Sequence, residues 1–106
     1  MNEIRLDIDG DAITWTREGE ELDPAEGMAI LFGRFELVAR VRGLHCPGTE
    51  VLTYRAPTRR AARRLEALPA KMWLRVDDTL WMSHDGQHLL LSPTTTLHTE
   101  NLLRAT

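Results

Sequence analysis

Three groups of residues in this chain have side chains able to do chemistry: the neighbours His45 and Cys46, the set His84, Asp85 and His88, and the alternating acids Asp7, Asp9 and Asp11. A thiol beside an imidazole suggests a nucleophile and its base. Catalytic pairs, however, converge from distant segments and need a third, orienting group, and sequence neighbours in a turn lack that arrangement. The two imidazoles of the second set belong to opposite faces of a hairpin turning at Asp85-Gly86, so they diverge instead of gathering the three or four ligands that zinc requires. The three aspartates alternate in strand period and lack the later glycine and bidentate glutamate of a calcium loop. These readings lead to no catalytic residue, no metal site and no cofactor, and to the expectation that the chain is not an enzyme.

Charge carries more information. Arg59, Arg60, Arg63 and Arg64 fall within six residues of a predicted short helix, Thr58 to Leu68. Spacing of i, i+4 stacks Arg59 over Arg63 and Arg60 over Arg64, opposite a stripe of Ala61, Ala62, Leu65 and Leu68. Arginine at a helix N-terminus opposes the macrodipole, at a cost of about 0.3–1 kcal/mol per charge. The ridge is either a solvated face or a docking surface for phosphate or carboxylate, both of which arginine grips bidentately. Arg40 and Arg42 on a neighbouring strand join it as candidate contacts.

The elements that must position these groups read as an α+β fold over residues 1–106, treated as one domain. Ile4, Leu6 and Ile8 alternate with polar residues, as do Ile13 and Trp15, around an Asp9-Gly10 turn that sets Leu6 opposite Ile13 and Ile4 opposite Trp15. Arg17 to Asp23 reads as a charged loop. Asp23, Pro24 and Glu26 start a helix that breaks at Gly33. A strand period follows from Phe35 to Arg42, then a turn across Gly43 to Thr49, then a strand from Val51 to Arg55. After Pro69, the runs Lys71 to Val76, Thr79 to His84 and Gln87 to Ser92 form a three-stranded antiparallel meander turning at Asp77-Asp78 and Asp85-Gly86. That pairing puts Met72, Leu74, Val76, Trp81 and Leu90 on one face and Trp73, Leu80, Met82, Leu89 and Leu91 on the other. With apolar residues on both faces, Trp73, Trp81, Leu89 and Leu91 are the candidate apolar interface. Pro93 to Thr106 reads as a loop and a short element through Leu97, Leu102 and Leu103.

The net charge of −3 hides a segregation. Residues 1–26 hold nine acids against Arg5 and Arg17, a balance of −7; residues 27–75 hold ten bases against three acids, a balance of +7. With 42% hydrophobic and 27% charged residues the composition is that of a soluble globular protein, and one cysteine excludes an internal disulfide and suits a reducing, cytoplasmic compartment. The start carries no secretory signal pattern, and no apolar run reaches membrane-spanning length. These features together lead to a protein-interaction domain, an inhibitor, adaptor or assembly subunit, able to form a homodimer. The alternatives are nucleic-acid binding through the arginine helix, or an inhibitor whose acidic face of Asp7, Asp9 and Asp11 mimics nucleic acid.

Overall fold

The computed structural model describes residues 4–42 and 46–94. Its strands are β1 (Ile4–Asp9), β2 (Ala12–Arg17), β3 (Glu20–Leu22), β4 (Glu36–Arg42), β5 (Glu50–Arg55), β6 (Leu74–Asp77), β7 (Leu80–His84) and β8 (His88–Pro93). Helix α1 spans Pro24–Phe32; helix α2 is a single turn, Arg59–Ala62, continued by a 3₁₀ turn over Arg63–Ala67. The strands form one largely antiparallel sheet in the order β1-β2-β6-β7-β8-β5-β4, with β3 also on β2. The path ends at β1 and β4. Among the described residues, a single parallel bridge, Ala12 to Arg75, joins β2 to β6, and the Arg75 N–H donates to the Asp11 carbonyl at 2.6 Å.

The N-terminal hairpin forms with a shifted turn. Asp9 pairs with Ala12, so Gly10 and Asp11 are the central residues, and Gly10 supplies the positive φ of 64° that a type II′ turn needs at its first position. Leu6 therefore lies opposite Trp15 and Ile8 opposite Ile13. This differs from the expected register by two residues, an even slip that keeps every side chain on its expected face. The expected loop from Arg17 to Asp23 is instead a second hairpin. Glu18 and Gly19, with φ of 54° and 83°, make a two-residue turn that pairs Arg17 with Glu20 and Trp15 with Leu22.

Helix α1 starts and stops where its sequence signals lie, with Asp23 at the N-cap, Pro24 in the first turn and Gly33 at the C-cap. Thr58 caps α2, its hydroxyl accepting from the Ala61 N–H at 3.0 Å. Met28 and Phe32 of α1, with Ala61, Leu65 and Leu68 of the second helical segment, are buried in one cluster with Trp15, Leu74, Met82, Leu89 and Leu91. Both helices thus cover the same face of the sheet.

The meander departs from expectation where it matters most. Asp77 pairs with Leu80, so the β6–β7 turn centres on Asp78 and Thr79, one residue later than expected. The Asp77 carboxylate fixes it, accepting from the Thr79 N–H at 2.7 Å and the Thr79 hydroxyl at 2.9 Å. A bulge at Val76 then leaves Leu74 opposite Met82 and Arg75 opposite Trp81. The net slip is odd, and an odd slip exchanges faces. Leu74, Val76, Leu80, Met82, Leu89 and Leu91 are all buried beneath the helices, and Trp81 and Leu90 look the other way. Between β7 and β8 the slip is even, with His84 opposite Leu89 across a four-residue connection.

Candidate interaction surfaces

One face of the sheet lies under neither helix, and its residues follow from the pairing. Arg75, Trp81 and Ser92 share that face, as do Ser83, Leu90 and Thr53. Ala39 pairs with Thr53 and Val41 with Val51, which extends the face to edge strand β4. Trp73 lies just before β6, next to the buried Leu74, and no strand pairing assigns it a face. Trp73, Trp81, Leu90 and Val51 are half-buried, and Val41 is 57% exposed. The loop at Cys46–Thr49 covers one corner, where the Gly48 N–H donates to the Ser92 hydroxyl at 2.9 Å.

Of the expected apolar interface, Trp73 stands just before β6 with no pairing to assign it, and Trp81 belongs to this open face. Leu89 and Leu91 do not, because both are fully buried in the core. They lie on the face opposite to Trp81 in either register; the odd slip at the Asp77 turn brings Leu74 and Val76 to their side, and the helices cover that side. Leu90, Val51, Ala39 and Val41 take their place, and only the register of β4 on β5 and of β5 on β8 assigns them there.

Asp7 and Asp9 lie on the same open side. Asp7 pairs with Thr14 and Asp9 with Ala12, and Ala12 bridges to Arg75, so the hairpin's polar face continues the face that holds Trp81. Asp7, Asp9 and Asp11 are all exposed. The open face therefore runs from a charged end at β1, β2 and β6, where Asp7 and Asp9 share the side with Arg5 and Arg75, to a stretch over β7, β8, β5 and β4 that mixes apolar residues with Ser83, Ser92 and Thr53.

The arginines lie elsewhere. Arg59, Arg60, Arg63 and Arg64 are exposed on the segment covering the opposite face. The expected i, i+4 stacking is not kept. Only one α-helical turn forms, and in the 3₁₀ turn that follows residues three apart eclipse. Arg64 donates to the Leu31 carbonyl at 2.8 Å and so ties this segment to α1. Arg59, Arg60 and Arg63 make no ion pair among the described residues. Arg40 is engaged with the buried Glu50 at 3.4 Å, and Arg42 stands opposite Glu50 in the register and is exposed.

His84 and His88 occupy opposite faces. His84 is buried; its Nδ1 accepts from the Gly86 N–H at 3.1 Å, so Nε2 carries the proton and donates to the Leu68 carbonyl at 2.7 Å. Asp85 caps the turn, accepting from the backbone N–H groups of Gln87 at 2.9 Å and His88 at 2.7 Å. Partial burial pushes the carboxyl's pKa up, but those two backbone donors and the His88 imidazole outweigh it and hold it below its ordinary value. Cys46 is half-buried, its thiol directed at the Gly48 carbonyl. No three His, Cys, Asp or Glu side chains converge as metal ligands among the described residues. No helix there is long and apolar enough to cross a membrane. His45 and the segment 95–106, with Leu97, His98, Leu102 and Leu103, lie outside the described residues. Comparison with protein-family models, with curated proteins and with solved structures yields no match for this chain.

Proposed function

We infer that this protein acts without chemistry of its own, as an interaction domain that binds a protein partner through the open face of its sheet. The observation that carries this reading is the set of apolar side chains Trp81, Leu90, Val51 and Val41 on the one sheet face that neither helix covers. Tryptophan at a half-buried position supplies large contact area at low entropic cost, which is why it is enriched at binding surfaces. The exposed Asp7 and Asp9, interleaved with Arg5 and beside Arg75, favour a partner whose matching patch carries charges of both signs in the complementary order. An inhibitor, an adaptor or an assembly subunit would all use such a face. A cytoplasmic setting belongs to the same reading, since a lone thiol suits a reducing compartment.

Affinity capture on the immobilised protein tests it, run in parallel with Trp81→Arg and with the triple variant Arg59→Gln, Arg60→Gln, Arg63→Gln. A protein retained by the wild type and by the triple variant, but lost with Trp81→Arg, fits the open face. Retention indifferent to Trp81 would sink the reading.

A second reading rests on Arg59, Arg60 and Arg63, whose guanidinium groups point from the helical side without an acidic partner among the described residues. Phosphate binding there predicts a salt-sensitive shift of a short duplex or single strand, abolished in the triple variant. An acidic mimic instead predicts that Asp7→Asn, Asp9→Asn and Asp11→Asn together abolish binding to a basic protein.

A further inference from the structure

The two ends of the sheet are built differently. Edge strand β4 is interrupted by a bulge at Val38 and carries Arg40 and Arg42, both features that discourage a further strand from pairing. Edge strand β1 has no bulge, and its charges are of both signs, Arg5 against Asp7 and Asp9. All six of its residues pair in unbroken register with β2, and no strand among the described residues pairs on its other side.

The backbone groups on that side can be identified. The two-residue turn makes Asp9 and Ala12 a hydrogen-bonded pair, and in an antiparallel ladder such pairs alternate with non-bonded ones. Asp9, Asp7 and Arg5 therefore direct their N–H and C=O groups at β2. Ile8, Leu6 and Ile4 direct theirs at the free edge.

We propose that this edge pairs with the same strand of a second copy, antiparallel about a two-fold axis through Leu6, to give a homodimer with a continuous sheet. In this register Leu6 faces the other Leu6 and Ile4 faces Ile8, and every one of these is a residue whose backbone groups point outward. Arg5 then faces Asp7 at both ends of the strand, as a non-bonded pair, the kind in which side chains approach most closely. The neighbouring registers that satisfy the same backbone groups lie two residues to either side. One sets Arg5 against Arg5 and the other sets Asp7 against Asp7. Like charges directly opposite are destabilising, so the sequence of β1 selects the Leu6-centred pairing. Self-complementarity of this kind is what a two-fold interface requires.

The inner side of the edge is prepared for the incoming side chains. A groove of about 360 Å³ runs along β1, lined by Ile4, Leu6, Leu31, Arg64 and Ala67 among others. Paired residues share a face, so the second copy's Ile4, Leu6 and Ile8 enter on this apolar side. Ile8, 37% exposed in the single chain, is covered by the other copy's Ile4. This interface is separate from the open sheet face and stands or falls independently of the partner-binding reading.

Light scattering on the eluting protein tests the proposal. The wild-type mass should rise toward twice the 12.1 kDa of one chain as concentration is raised to about 1 mM, the range in which even a weak pair assembles. Asp7→Arg and Arg5→Asp, both at exposed positions, should each stay monomeric. An equimolar mixture of the two should regain the dimer, because opposite charges again face each other. The open-face variant Val41→Glu should dimerise like the wild type. A wild type that stays monomeric throughout, single variants that dimerise as well as it does, or a mixture that stays monomeric would each overturn the proposal. As a check that needs no variant, mixed-isotope NMR of the wild type should show an inter-chain Hα contact between Arg5 and Asp7, and its absence in a dimer would also overturn it.

Discussion

The buried imidazole of His84 donates from Nε2 to the main-chain carbonyl of Leu68 at 2.7 Å, joining the last residue after the 3₁₀ turn to the end of β7. With Gly86 donating to its other nitrogen, this ring holds the helical cover on the sheet and the β7–β8 connection at once. His84→Phe keeps the volume roughly but leaves the Leu68 carbonyl and the Gly86 N–H unpartnered. We expect a loss of about 1–3 kcal/mol in urea unfolding, since an orphaned buried polar group bears its full desolvation cost. A loss within experimental error would show that the bond contributes nothing net.

Leu91 and Val41 give opposite forecasts although both are apolar strand residues. Leu91 is fully buried between Met82 and Leu52, and Leu91→Ala should cost about 2–5 kcal/mol through the cavity it leaves. Val41→Ser, at a position 57% exposed, should change stability by no more than about 0.5 kcal/mol. Thermal or denaturant unfolding of the two variants side by side checks the assignment of faces; equal costs would refute it.

Gly27 lies in α1 with the Trp15 ring directly against it, so that a β-carbon at this position would overlap the indole. Gly27→Ala normally favours a helix by about 1 kcal/mol, but here it forces the helix off the sheet. The net effect should be a destabilisation of about 1–3 kcal/mol from overpacking, with a change in tryptophan emission. A stabilised variant would mean that α1 does not pack this closely.

Asp85 sets a pH dependence. Its carboxyl titrates below the ordinary value of 3.8, so it adds stability that is fully present above pH 3.8 and is lost as pH falls through its lower folded value. The side chain is 46% exposed, which keeps the contribution small. In Asp85→Asn the turn keeps an acceptor but loses the charge. The difference between wild type and variant in acid titrations should be constant near neutrality and vanish in strong acid; a difference that grows on acidification would contradict the assignment.

The sequence was legible where a local signal decides the outcome. Asp23, Pro24 and Gly33 bracket α1 as their types dictate, and Thr58 caps α2. The alternation of β1 and β2 determined their faces even though the turn moved from Asp9-Gly10 to Gly10-Asp11, because the register changed by an even number. It was not legible where one side chain or one bulge intervenes. Asp77 accepting from Thr79 delays the β6–β7 turn by a residue, Val76 bulges, and the two together exchange the faces of β6, setting Leu74 and Val76 with Leu89 and Leu91 in the core. Strand β3 was hidden because Glu20 and Glu21 show no apolar alternation, and its turn relies on Glu18 adopting a positive φ that glutamate seldom takes. The open face could not be listed from any one segment, since Val41 joins Trp81 only through two intervening strands.

The bridge between Ala12 and Arg75 also orders events in time. Hairpins such as β1–β2 and β7–β8 close locally and form within about 1–10 μs. The parallel contact must bring together residues 12 and 75, after both neighbouring hairpins exist, and its closure entropy is met by few hydrogen bonds. We expect this contact to complete the sheet last, so that the Arg75 amide, held by the Asp11 carbonyl, becomes protected from hydrogen exchange later during refolding than the amides of either hairpin.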